Sequence, residues 1–203
     1  MIKVPKIQYI TRDDKQYSHA EQARLMFSNN ISWVQVRMKD ATDEEIVEEA
    51  REALQYAKEF NGTLIINDSI EICKAVGAHG VHLGLKDISI DEARQLLGSE
   101  AIIGGTANTL SDVLSQYRKG ADYIGLGPFT FTETKKNLSP ILGLEGYRNL
   151  TVKLNEIGLQ IPIVAVGGIT YNDIEEILNT GINGVAMSGT LFNEITEKKI
   201  NLQ

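Results

Sequence analysis

Short apolar, β-branched runs alternate with longer amphipathic stretches from one end of this chain to the other, and that rhythm admits very few folds. The runs cover 7–11, 33–39, 63–68, 80–83, 101–106, 123–127, 161–168 and 184–189. Helical periodicity fills 18–28, 43–59, 70–76, 89–97, 109–119, 144–158 and 171–179, with a short final helix after Thr190. Thr42 with Glu45, and Ser89 with Glu92, have capping-box spacing. Gly77, Gly98, Gly120, Gly158 and Gly181 fall where helices should stop. Eight strand–helix units in 203 residues leave two architectures, a closed (β/α)8 barrel or an open doubly wound sheet. The count and even spacing favour the barrel, and no GxGxxG follows the first strand to suggest a dinucleotide fold. No break in composition marks a linker, so the expectation is one α/β domain over 1–203, a single TIM barrel.

Composition excludes several partners. A formal charge of −7 disfavours nucleic acid and anionic membrane surfaces. No apolar run is long enough to span a bilayer, and the start at 1–6 lacks the apolar region of a signal peptide, so the chain is expected in the cytoplasm. Cys73 is the single cysteine; it lies on a helix and reads as a small buried apolar group, with no disulfide framework or CxxC metal pair. The oligomeric state is left open, a homo-oligomer included.

In a barrel, chemistry belongs at the carboxyl ends of the strands. The second run places Gln35, Arg37 and Lys39 on one face by alternation, with Val34, Val36 and Met38 on the other. Three long polar side chains are poor material for a packed core, although an inward arginine can simply pair with a carboxylate. The third run ends in Asn67-Asp68, and Gly84-Leu85-Lys86-Asp87 follows the fourth. Carboxylates at adjacent strand ends can share a hard cation such as Mg²⁺, completed by substrate phosphates and water. Each aspartate also precedes a helix, where capping is the commoner role. Taken together, opposite Arg37 and Lys39, they favour the metal.

The sixth run stops at Pro128 and opens into Phe129-Thr130-Phe131-Thr132-Glu133-Thr134-Lys135-Lys136. Hydroxyls and ammonium groups beside glycine and proline suit a phosphorylated ligand, and 128–141 has the make-up of a lid. Thr106 and Asn108 offer hydrogen bonds after the fifth run, where Thr109 is a ready helix cap. The seventh ends Val166-Gly167-Gly168-Ile169 and the eighth Met187-Ser188-Gly189-Thr190, the usual barrel place for a phosphate monoester. The histidines carry less. His82 reads as a satisfied core residue, His79 and His19 as surface residues, and no His–Ser or His–Cys pairing suggests a covalent hydrolase.

These segments, in order, resemble the thiamine phosphate synthase family. The resemblance is carried by Val34-Gln35-Val36-Arg37-Met38-Lys39, Ile66-Asn67-Asp68, Gly80-Val81-His82-Leu83-Gly84, Ala121-Asp122-Tyr123-Ile124-Gly125-Leu126-Gly127-Pro128, the 132–135 segment and Val166-Gly167-Gly168-Ile169. It implies a (β/α)8 barrel, a transferase that joins hydroxymethylpyrimidine diphosphate to hydroxyethylthiazole phosphate and releases diphosphate. It implies that Asp68 and Asp87 hold Mg²⁺, that Gln35, Arg37, Lys39, Asn67, Thr106 and Lys135 contact the pyrimidine diphosphate, and that Lys135, Arg37 and Lys39 carry the catalytic charge. Thr132, Thr134, Gly168, Met187 and Ser188 would hold the thiazole phosphate, the last two partly through backbone. The chain departs from the family pattern at Ser69, where arginine is common, and at Thr106-Ala107-Asn108, where Ser-Thr-His is common. A thiazole tautomerase of the same fold is the runner-up, but its proton transfer uses a histidine in that region and an amide cannot replace it. A non-catalytic thiazole or thiamine phosphate-binding homologue is the third reading.

Overall fold

The computed structural model describes residues 2–131 and 140–197. Eight parallel strands close into a barrel in sequence order, β1 (Ile7–Ile10), β2 (Trp33–Val36), β3 (Thr63–Asn67), β4 (Gly80–Leu83), β5 (Ile102–Ala107), β6 (Tyr123–Leu126), β7 (Ile163–Val166) and β8 (Gly184–Met187). The helices alternate with them as α1 (His19–Ser28), α2 (Asp43–Glu59), α3 (Ile70–Val76), α4 (Ile90–Leu97), α5 (Leu110–Arg118), α6 (Gly143–Glu156), α7 (Ile174–Leu178) and α8 (Gly189–Thr196). A short 3₁₀ turn, Tyr171–Asp173, leads into α7. Closure comes from β1 pairing with β8, Gln8 opposite Ala186.

Strand alternation splits the core in two. Outward positions such as Val34, Val36, Leu64, Ile66, Val81, Leu83, Ile124 and Leu126 pack against the helices, including Ala20, Ala23 and Met26 of α1 and Ala50, Ala53 and Ala57 of α2. The alanines let the helices lie close to the sheet. Inward positions form a separate cluster, Trp33, Ile65, Tyr123, Val164 and Ala186, joined by Val4 from the N-terminal segment. Each fully buried Ile or Leu contributes on the order of 1.5–3 kcal/mol, so both layers are needed to hold a barrel whose strands are mostly four residues long.

Local chemistry sets the helix starts. Ser18, Thr42 and Thr109 accept from the N–H three residues on, and Glu21, Glu45 and Asp112 reach back to the cap N–H, as the capping-box spacing predicts at Thr42. Glu92 likewise reaches back to Ser89. Gly77 closes α3 in the left-handed region at φ 73°, turning the chain into β4.

Several strands are shorter than the apolar runs. β2 ends at Val36, so Arg37 and Lys39 stand in the loop beyond it and do not continue the strand's alternation. Apolar residues continue past the ladder there, and Met38 packs on the core's edge, which is what lengthened the pattern. β7 begins only after Pro162, which has no N–H to give a ladder, and it stops where Gly167 turns to φ 96°. Gly189, placed by the pattern at the end of a strand, is the first residue of α8.

Inside the barrel, β5 crosses beneath two aromatic rings at Gly104, which pairs with His82 on one side and Tyr123 on the other. A Cβ at Gly104 would fall on the Tyr123 ring. Gly104→Ala should therefore lower stability by about 1–3 kcal/mol through overpacking. Denaturant unfolding measures this, and an unchanged midpoint would mean the ring can yield.

Candidate active site

The polar residues of the carboxyl-terminal mouth are placed by the ends of β1 to β5. Gln35, buried on β2, donates from Nε2 to Asn67 Oδ1 of β3 at 2.8 Å. Just beyond β2, the Arg37 N–H donates to Thr11 Oγ1 at 2.9 Å, which ties that loop to the end of β1. The Arg37 side chain is half-buried and lies in the field of Asp68 and Asp13. Burial draws its pKa down, and the two carboxylates oppose that. Lys39, farther along the same loop, is exposed.

Asp68 is held in the left-handed region at φ 65°, an uncommon conformation for a residue with a side chain. Its N–H donates to the His82 carbonyl of β4, and Ser69 N–H turns back to the Asn67 carbonyl. The helix-capping role belongs to Ser69, which accepts from the Ile72 N–H at 3.2 Å. On the neighbouring loop Ser89 occupies the N-cap position, while Asp87 folds back and accepts from the Gly84 N–H at 2.6 Å. Neither aspartate caps its helix. The serine at position 69, where the family pattern often has arginine, thus does work that would otherwise fall to Asp68.

The two carboxylates meet. Asp68 is exposed as a whole residue, yet crowding of its carboxylate and the proximity of Asp87 push its pKa up to about 6, while Asn67 and Arg37 pull the other way. Two acidic groups in that relation favour sharing a proton or a hard cation. Among the described residues no group of three or more His, Cys, Asp or Glu gathers to hold a metal, so Asp68 and Asp87 would supply two ligands and leave the remainder to substrate and water. That is the way Mg²⁺ is commonly held with phosphorylated substrates.

On β5, Thr106 is buried and its hydroxyl lies 3.1 Å from His82 Nε2. The Asn108 amide donates to the Gly127 carbonyl at 2.5 Å, so it braces the β5 and β6 ends. The glycines after β7 are packed tightly under the β6 loop. Phe129 N–H and Thr130 N–H donate to the Val166 and Gly167 carbonyls, and a Cβ on Gly168, at φ 69°, would stand 2.5 Å from Thr130 Cγ2. Ser188 is half-buried at the N-cap of α8 and makes no side-chain cap bond. The Met187 side chain points outward into the barrel–helix core, leaving its backbone toward the mouth. Thr132, Thr134 and Lys135 lie outside the described residues.

Two residues escaped the sequence reading. His19, expected on the surface, is buried: its Nδ1 lies 2.6 Å from Thr11 Oγ1 and its Nε2 3.3 Å from Asp13 Oδ1. The first turn of α1 folds it back against the end of β1, a tertiary contact without a local signal. Arg12 lies between β1 and α1. Its guanidinium covers the start of α8, so that a Cβ on Gly189 would stand 2.5 Å from Nη1. A cation at a helix N-terminus is unfavourable unless an anion lies between them. The only available signal was its place one residue past the Thr11 strand end.

Residues 7–191 match the family model described as thiamine monophosphate synthase. The chain belongs to that family. A thiamine-phosphate synthase of Phocaeicola vulgatus is 49% identical over 190 residues, 94% of this chain and 91% of that one. Its counterpart of the same name in Flavobacterium johnsoniae is 42% identical over 98% of this chain and 93% of its own. A solved thiamine phosphate pyrophosphorylase from Pyrococcus furiosus superposes with a TM-score of 0.81 at 28% identity, covering 97% of this chain and 95% of that chain. The family's barrel is thus shared in sequence and in shape.

The Asp68 shift fixes a pH dependence. A carboxyl whose folded pKa lies above its ordinary 3.8 binds its proton more tightly in the folded state. The stability it contributes is present below the unfolded pKa and is lost as pH rises through about 6. Cation-free protein should therefore lose more unfolding free energy between these pH values than Asp68→Asn does, as urea titrations across that range would show. Parallel curves for the two proteins would place the shared proton elsewhere.

Proposed function

We propose that this protein is a thiamine-phosphate synthase, which condenses hydroxymethylpyrimidine diphosphate with hydroxyethylthiazole phosphate and releases diphosphate. Family membership supports the synthase reading, and the pair Asp68–Asp87 in the field of Arg37 is the observation that carries the chemistry. The thiazole nitrogen is already a nucleophile, so the reaction needs no strong base. Its barrier lies in breaking the bond between the pyrimidine methylene and the diphosphate oxygen.

Arg37, Lys39 and Lys135 would neutralise the charge that grows on the departing oxygen, with Gln35, Asn67 and Thr106 orienting the diphosphate and ring. Mg²⁺ held by Asp68 and Asp87 would add positive charge against the same leaving group. Bond breaking ahead of attack leaves a resonance-stabilised pyrimidine cation, which the thiazole nitrogen captures, and closure of 128–141 would keep water from it. Gly168, Ser188 and the Met187 backbone, with Thr132 and Thr134, would hold the thiazole phosphate at the other side of the mouth. Both substrates are phosphorylated and cross membranes poorly, which supports a cytoplasmic setting. The tautomerase reading lacks its base, since the Asn108 amide is committed to the Gly127 carbonyl.

Incubating the protein with both substrates, with and without Mg²⁺, should give thiamine phosphate by mass only in the complete mixture. Isomerisation of a thiazole phosphate without metal would overturn the synthase in favour of the tautomerase, and binding without turnover would favour the non-catalytic homologue. Asp68→Asn and Lys135→Ala should each lower turnover by about 10²–10³ while the fold survives. Near-normal turnover by folded Lys135→Ala would remove that lysine from the mechanism.

A further inference from the structure

Below Thr106, three side chains from adjacent strands form a hydrogen-bonded row inside the barrel. Tyr123 Oη on β6 lies 3.0 Å from His82 Nδ1 on β4, and His82 Nε2 lies 3.1 Å from Thr106 Oγ1 on β5. The row is built for rings. A Cβ at Gly125 would stand 2.8 Å from His82 Cε1, and one at Gly104 would overlap Tyr123, so glycine at both positions supplies the space the two rings occupy. Trp33 packs edge-on against Tyr123 at 5.5 Å and holds it from below.

Among the described residues, the partners in this row assign its protons. Tyr123 is 1% exposed, and burial raises its pKa far above the ordinary phenol value, so the hydroxyl keeps its hydrogen. His82 Nδ1 is the only hydrogen-bond partner of that hydroxyl among the described residues, so the O–H must donate to it. Nδ1 is then the acceptor and the ring proton sits on Nε2. A doubly protonated ring would leave the buried phenol hydrogen without an acceptor. Nε2–H donates to Thr106 Oγ1, the hydroxyl's one partner among the described residues. With its oxygen accepting, Thr106 has a hydrogen still to give, at the carboxyl end of β5.

We infer that Tyr123 and His82 are positioning residues that fix the His82 tautomer and so commit the Thr106 hydroxyl to donate to a bound ligand. The ligand at the end of β5 must then present an acceptor, either an anionic diphosphate oxygen or an unprotonated pyrimidine nitrogen. This rests on the synthase reading of the same mouth, but the tautomer is a property of the protein alone.

Long-range ¹H–¹⁵N spectra of the ligand-free protein should show His82 with its proton on Nε2, and Tyr123→Phe should weaken that preference. A proton on Nδ1 in the unaltered protein would overturn the inference whether or not the protein makes thiamine phosphate. In steady-state assays, Thr106→Val and Tyr123→Phe should each raise KM for the pyrimidine diphosphate about five- to tenfold, the effect of one hydrogen bond. KM for the thiazole phosphate should stay within about twofold, and Thr106→Ser should behave as the unaltered protein. The double variant should be no worse than Thr106→Val alone, because Tyr123 acts through Thr106. Additive losses would reduce Tyr123 to packing and overturn the inference, as would unchanged kinetics in folded Tyr123→Phe. Competition by inorganic pyrophosphate and by the pyrimidine alcohol separates the two acceptors: Thr106→Val should weaken one of them, and weakening neither would count against the donor role.

Discussion

Closure of β1 onto β8 is the constraint from which the rest of this molecule follows. Once Ile7, Gln8 and Tyr9 pair with Val185, Ala186 and Met187, no strand edge remains and every strand has an inside and an outside. The outside takes the branched aliphatic residues and the alanine-rich helix faces. The inside is filled from below by Val4, Trp33, Ile65, Tyr123 and Val164, and most of its polar residues gather at the upper end. The site is the place where the core runs out.

That geometry brings together groups far apart in the chain. Asn67 and Asp68 end β3, Gly84–Asp87 follows β4, and Arg37 follows β2, so neighbouring strands deliver an amide, two carboxylates and a guanidinium to one rim. The opposing charges do not cancel. Asp68 is left with a raised pKa next to Asp87 despite Arg37, and it is held at a positive φ without capping α3. A strained backbone and a raised carboxyl pKa with no helix to cap are what a site arranged for a ligand would show. Around it the polar side chains brace one another: Gln35 donates to Asn67, Asn108 donates to the Gly127 carbonyl, and Thr11 accepts from the Arg37 N–H.

Interior glycines matter as much as charges. At Gly104 and Gly125 the missing side chains admit the Tyr123 and His82 rings, and the rings carry hydrogen bonding from the buried interior to Thr106 at the mouth. Around Gly167 and Gly168 the same absence lets the β6 loop lie directly on the β7 loop. Backbone then meets backbone where phosphate recognition is expected, and Arg12 arrives over Gly189 from the far side of the β1–β8 seam.

Periodicity alone marked out the eight strand–helix units, because apolar alternation and capping boxes at Thr42 and Ser89 are local properties of consecutive residues. It favoured the closed barrel over an open sheet, and the β1–β8 pairing decides between them. Strand-end position also marked Arg37, Asp68, Asp87, Thr106 and Ser188 as candidates, since a barrel offers its ligands one face. The stopping points of β2 and β7 were not legible, because apolar residues run on past the last ladder bond. Nor were the burial of His19, the approach of Arg12 to α8, or the row from Tyr123 to Thr106. Those depend on which side chains closure sets opposite one another across dozens of residues, and only the folded barrel decides that.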